Sequence, residues 1–93
     1  MNKEEIQSEL QSLTGWEILE VESVPRLKKN YRFNNFEEAL HFTNQVGTLA
    51  EKHDHHPAIL TEWGSVTISW WTHTAHGVTQ NDIKMAALVD ELE

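Results

Sequence analysis

No cysteine occurs among the 93 residues, so disulfide frameworks, thiolate nucleophiles, cysteine-based zinc ribbons and iron–sulfur clusters are all excluded. Basic residues are scarce too: seven Lys and Arg against fifteen Asp and Glu leave a formal net charge of -8. Coating a phosphate backbone needs clustered cations, so no direct nucleic-acid binding is expected, although a small local basic patch remains compatible with the composition. No apolar run approaches the roughly 18 residues that cross a bilayer. The opening Met1-Asn2-Lys3-Glu4-Glu5 turns acidic at once, without the apolar stretch of a targeting signal. A cytoplasmic chain with no membrane association is the expectation.

What is present suits a folded chain: 39% hydrophobic residues, four tryptophans and no long charge block. The length fits one domain over residues 1–93, able to bury roughly two-thirds of the surface its unfolded form exposes. Ile6, Leu10 and Leu13 form a helical stripe, with Gly15 placed where a C-terminal cap belongs. Trp16 to Val21 reads as a strand, interrupted by Ser23-Val24-Pro25. Leu27, Tyr31 and Phe33 then share one face of an extended segment, giving a first hairpin. Asn35, with Glu38 three residues later, opens a second helix carrying Phe36, Ala39, Leu40, Val46, Leu49 and Ala50, which should end near His53 ahead of Pro57.

Ala58 to Trp63 and Val66 to His73 form a second hairpin around a type II′ turn at Gly64-Ser65. Thr79-Gln80-Asn81-Asp82 is a capping box heading a last helix with Met85, Leu88, Val89 and Leu92 inward. The order is α-β-β-α-β-β-α. It predicts an α+β fold, a four-stranded antiparallel sheet with helices packed on one face. The other face, bearing Ser69 and Trp71, would be open in a monomer, so a homo-oligomer is expected.

Chemistry concentrates in Glu51-Lys52-His53-Asp54-His55-His56-Pro57, where three histidines fall in four residues at a helix-to-strand junction. Neutral imidazole offers one donor and one acceptor, so a pair can deliver and remove protons together. Pro57 restricts His56 to extended backbone, and Glu51 lies one helical turn before His55, where it could orient that ring. His73, in Thr72-His73-Thr74-Ala75-His76-Gly77, stands off the core face at a strand end. The bland alternative is a histidine cluster complementing the negative end of a helix dipole. A metal site is the next rival, but the common helical His-x-x-x-His spacing is absent, so no metal is expected. His41 and His76 read as structural or surface residues, and Asp82 chiefly as the capping-box acid.

The pattern Glu51-x-x-x-His55-His56-Pro57, then Val66, Thr72-His73 and Gly77-x-Thr79-x-x-Asp82 resembles the pterin-4a-carbinolamine dehydratases, as do Gly15-Trp16 and Tyr31-x-Phe33-x-x-Phe36. The resemblance implies dehydration of 4a-hydroxytetrahydrobiopterin, or a related pterin, to the quinonoid dihydropterin, without metal or organic cofactor. It also implies a functional link to the aromatic amino acid hydroxylases whose pterin is recycled. By position, His55, His56 and His73 match the catalytic histidines. Pro57, Thr72, Thr74 and Ala75 match the pterin's walls and backbone contacts, and Glu51 and Asp82 match supporting acids. Ile59 stands where an aromatic residue is often found, and His76 where small residues are common. Some relatives resemble dimerisation partners of transcription factors, which makes a co-regulatory adaptor the alternative to an enzyme.

Overall fold

A computed structural model describes all 93 residues. Helix α1 spans Lys3–Leu10, strands β1 and β2 span Glu17–Val21 and Val24–Arg32, and helix α2 spans Phe36–His53. Strands β3 and β4 span Ala58–Glu62 and Ser65–Trp70, a single 3-10 turn covers His73–Ala75, and helix α3 spans Gln80–Glu91. The sheet is antiparallel throughout, in the order β1-β2-β4-β3. This is the expected α+β order.

Alternation sorts the sheet's two faces. Leu27, Tyr31, Val66, Ile68 and Trp70 are buried with Ile6, Leu10, Phe42, Val46, Met85 and Val89 from the helices in one core. The open face carries Arg26, Lys28 and Arg32 along β2, opposite Ser69 and Ser65 at the last two, with Glu17 and Glu62 on the outer strands. On α2 the buried set is Ala39, Phe42, Val46 and Ala50, so Phe42, not Phe36 or Leu40, faces the core; those two are exposed. Phe36 begins the helix, and the 3-4-4 spacing from Ala39 leaves it and Leu40 beside the stripe.

Several boundaries differ from the sequence expectation. Helix α1 stops at Leu10, and Gly15 is no cap; it adopts φ +90 four residues past the actual cap, Gln11, with the Lys29 stem against its Cα. The break between β1 and β2 falls at Glu22-Ser23, both left-handed (φ 52 and 66), and Pro25 lies inside β2 opposite Glu20. Pro25 sits beyond the last β2 residue paired to β4, so its missing N–H costs no bond on that side. The second hairpin turns at Trp63-Gly64, one residue early. Ser65 is already paired on both sides, with Arg32 and Glu62, and Gly64 takes φ +69 at the second turn position, which a type II′ turn does not use. Strand β4 ends at Trp70, and Thr72 bridges back to Gly77, so His73 begins a 3-10 turn and ends no strand.

The Glu22-Ser23 pair has the positive-φ pattern of a type I′ turn, without the glycine such turns favour. Ser23→Gly is therefore expected to raise stability by about 1 kcal/mol, read as a higher midpoint in urea unfolding. An unchanged or lower midpoint would contradict the assigned strain.

The last helix is tied to the sheet by Asp90. Its carboxylate accepts from Tyr31 Oη, from Lys29 Nζ (2.8 Å) and from Trp16 Nε1 (3.1 Å). Burial, then the hydrogen bond and charge of Asp90, push the Tyr31 phenol well above its ordinary range. The folded state thus keeps this proton after the unfolded chain has lost it. Its stabilisation is complete below about pH 10 and falls as pH rises further, by about 1.4 kcal/mol per pH unit. Tyr31→Phe should cost about 1–2 kcal/mol at neutral pH and flatten the alkaline limb of the stability curve. Parallel limbs for both proteins would refute this.

Candidate active site

Asp54 decides how the histidines are distributed. It caps α2 in the left-handed conformation (φ 49, ψ 43), reversing the chain direction immediately before His55-His56-Pro57. The two rings consequently part company. His56 folds back over the end of α2, with Nε2 2.5 Å from Glu51 Oε2, while His55 turns under the sheet, with Nε2 2.5 Å from Asp82 Oδ1. Glu51 therefore partners His56 rather than the expected His55. An unbroken helix would have stacked positions 51 and 55, but α2 ends at His53.

The two pairs live in different surroundings. His56 and Glu51 are solvent-exposed, at 55% and 78% of their side-chain surface, so their pairing contributes little to stability. Asp82 is fully buried, and His55 retains 14% exposure. Asp82 Oδ2 accepts from the Thr72 hydroxyl (2.7 Å), from Thr79 N–H (2.9 Å) and from the Thr79 hydroxyl (3.3 Å). The capping acid of α3 thus also anchors His55, a double role that its capping position masks in the sequence. The opposite flank of the His55 ring stacks on Trp70, with centroids 5.3 Å apart and planes 18° apart.

Carboxylates only accept hydrogen bonds, so each ring presents an Nε2–H to its acid, and in the neutral ring the lone pair resides on Nδ1. His73 has no side-chain partner; its ring lies 5.2 Å from that of Trp71. His55, His56 and His73 line one cleft of about 400 Å³ with Asp54, Trp71, Thr72 and Thr74. Glu51 and Asp82 stand behind two of the rings rather than in the lining, and Pro57 and Ala75 also lie outside it. A larger hollow of about 510 Å³, lined by Phe33, Phe42 and Leu92 with Glu37, Glu38, His41, Gln45 and Glu93, holds none of these residues. No trio of His, Asp or Glu converges closely enough to hold a metal ion.

Two participants were not anticipated from sequence. Trp70 reads there as one more core-facing residue beside Val66 and Ile68, and nothing in the sequence singles out Arg26. The tandem Trp70-Trp71 directly before Thr72-His73 was the available signal, since alternation sends one indole to each face of the sheet.

The family model for pterin 4 alpha carbinolamine dehydratase matches residues 1–92. The chain belongs to the pterin 4 alpha carbinolamine dehydratase family. A provisionally named pterin-4-alpha-carbinolamine dehydratase of Microcystis aeruginosa is 54% identical over 96% of this chain and 77% of its own length. One of Syntrophotalea carbinolica, with the same provisional name, is 53% identical over 96% of this chain and 80% of its length. Among solved structures, a Brucella melitensis protein described as a transcriptional coactivator/pterin dehydratase superposes with a TM-score of 0.87. It is 32% identical and aligns over 98% of this chain and 95% of its own. A pterin dehydratase-like RuBisCO assembly factor of the alpha-carboxysome shares the fold, with a TM-score of 0.71 at 23% identity over 86% of this chain and 90% of its own. For this member of the dehydratase family, no helix is long and apolar enough to cross a membrane.

Proposed function

We propose that the protein dehydrates a 4a-hydroxytetrahydropterin, such as 4a-hydroxytetrahydrobiopterin, to the quinonoid dihydropterin and water, by histidine acid and base catalysis. The observation that carries this is the arrangement around the cleft: two imidazoles fixed through Nε2 on separate carboxylates, with an unpartnered third facing the same space.

The reaction needs a proton on the departing 4a-oxygen and loss of one from a ring nitrogen. No electrons are exchanged, so imidazoles alone can supply the chemistry, each contributing on the order of 10² to 10⁴ in rate. His55, held between Asp82 and Trp70, is the rigidly placed member. In this scheme His55 and His73 exchange the two protons, while His56, steadied by Glu51, orients the pterin and shares the work. Thr74 contacts the ring from the 3-10 turn and Thr72 from the residue before it, and Pro57 and Ala75 support the walls. The product would re-enter the cofactor cycle of an aromatic amino acid hydroxylase. A cytoplasmic homo-oligomer, dimer or tetramer, is the form we expect to act.

Stopped-flow decay of a 4a-carbinolamine, with and without protein, tests the proposal. Acceleration in proportion to enzyme supports it, and an unchanged decay with folded protein overturns it. The Brucella relative's description as a coactivator favours one second reading, a co-regulatory adaptor built on the open sheet face. That reading gains if the pure protein leaves the decay unchanged while binding a regulator stoichiometrically.

A further inference from the structure

Arg26 is placed strangely for a surface cation. It projects from the open face of β2, and its guanidinium carbon sits 3.8 Å from the centre of the Trp71 ring. The guanidinium forms no ion pair and no hydrogen bond within the protein, and its Nε is shut off from solvent without an acceptor. A buried donor without a partner is costly and rare. Stacking on an indole offsets part of that cost and fixes the side chain's direction, but supplies no acceptor oxygen. Trp71, in turn, lines the histidine cleft and abuts His73. One aromatic ring therefore separates a rigid, unpaired cation from the proposed proton-transfer site. The ionisable groups lining that cleft are Asp54, His55, His56 and His73, none of which is a permanent cation.

We propose that Arg26 and Trp71 form a subsite for an anionic side chain on the pterin, a carboxylate or a phosphate, so that this enzyme prefers pterins carrying a terminal negative charge. The inference rests on the pterin reading of the cleft and deepens it. With the pterin ring among the histidines, a substituent directed past Trp71 would approach the guanidinium stacked on that ring. The planar fork of N–H groups matches the two oxygens of a carboxylate or those of a phosphate. An alkyl side chain would offer the guanidinium no acceptor, and a hydroxyl would offer one neutral oxygen in place of a charged pair. Arg26 would thus determine specificity without touching the reacting atoms.

The test uses the intact protein and three stable ligands: 6-hydroxymethylpterin, its phosphate ester and pterin-6-carboxylate, titrated by tryptophan fluorescence. At least one anionic ligand should bind roughly tenfold more tightly than the neutral one, and the larger gain names the source of the charge. Arg26→Gln should erase the gain, and Arg26→Lys should retain part of it, with circular dichroism establishing that both variants fold. Equal affinities in the wild-type protein, or a preference that survives in Arg26→Gln, would overturn the subsite while leaving the pterin reading intact. Binding of none of the three would remove both.

Discussion

Replacing His55 with alanine is expected to slow catalysed dehydration by roughly 10² to 10⁴, the range that one positioned acid or base supplies. The size of the effect follows from its confinement. The ring is held by Asp82 at Nε2 and by the Trp70 face, so alanine removes an acid or base whose position is fixed. His55→Ala also removes a largely buried ring, and the thermal midpoint must be measured beside the rate. His73→Ala separates the two effects: His73 is exposed and without a hydrogen-bond partner, so its loss should leave the midpoint almost unchanged while still lowering the rate. His41→Ala and His76→Ala are the controls, since neither side chain lines the cleft. If both His55→Ala and His73→Ala keep the wild-type rate, the proton-transfer scheme fails.

Asp82→Ala should have the largest effect on the fold. The carboxylate is fully buried, and its removal strands the Thr79 N–H, the Thr72 hydroxyl and the His55 N–H together. A loss of about 3 kcal/mol or more is expected, a fall in thermal midpoint on the order of 10–20 °C for a chain of this length. Asp82→Asn distinguishes packing from positioning. Its amide oxygen can still accept from Thr79 and Thr72, so much of the stability should remain. Its NH₂ group, however, faces His55 Nε2 with a donor where an acceptor stood, which favours the opposite ring tautomer. We expect kcat to fall by about 10- to 100-fold with KM little altered. An Asp82→Asn protein with wild-type kcat would show that Asp82 serves the helix alone.

The sequence makes some of this legible and hides the rest for identifiable reasons. Residue alternation in Val66, Ile68 and Trp70 locates the core face of β4, because period two allows no other assignment once one face is buried. The capped starts of α2 and α3 are readable because Asn35 and Thr79-Asp82 act within a few residues. Glu38, for example, does donate its N–H to Asn35, though its carboxylate reaches one residue further back, to Asn34. The grouping of His55, His56 and His73 in one cleft is implied in the sequence only by the family resemblance, because element order does not say which loop ends meet. The acid serving each ring is not legible there, because it turns on the left-handed conformation of Asp54, and local spacing instead favoured Glu51 with His55. The end of β4 is hidden for a similar reason. The Thr72–Gly77 bridge is a pairing between loop residues that no periodicity announces. Arg26 was invisible because its meaning depends on Trp71, a partner 45 positions away in the chain.

The row Arg26, Lys28 and Arg32 on the open face, partly offset there by Glu17 and Glu62, gives the molecule a direction as well as a net charge. Glu4, Glu5, Glu9, Glu37, Glu38 and Glu91 all sit on the helices of the opposite layer. An approaching anion therefore meets a field that differs with the side it comes from, and the approach along the sheet leads past Trp71. Judged by its total of -8, the protein should repel such a solute, increasingly so as salt is withdrawn. Judged by the arrangement of its charges, capture of an anion should quicken in dilute buffer.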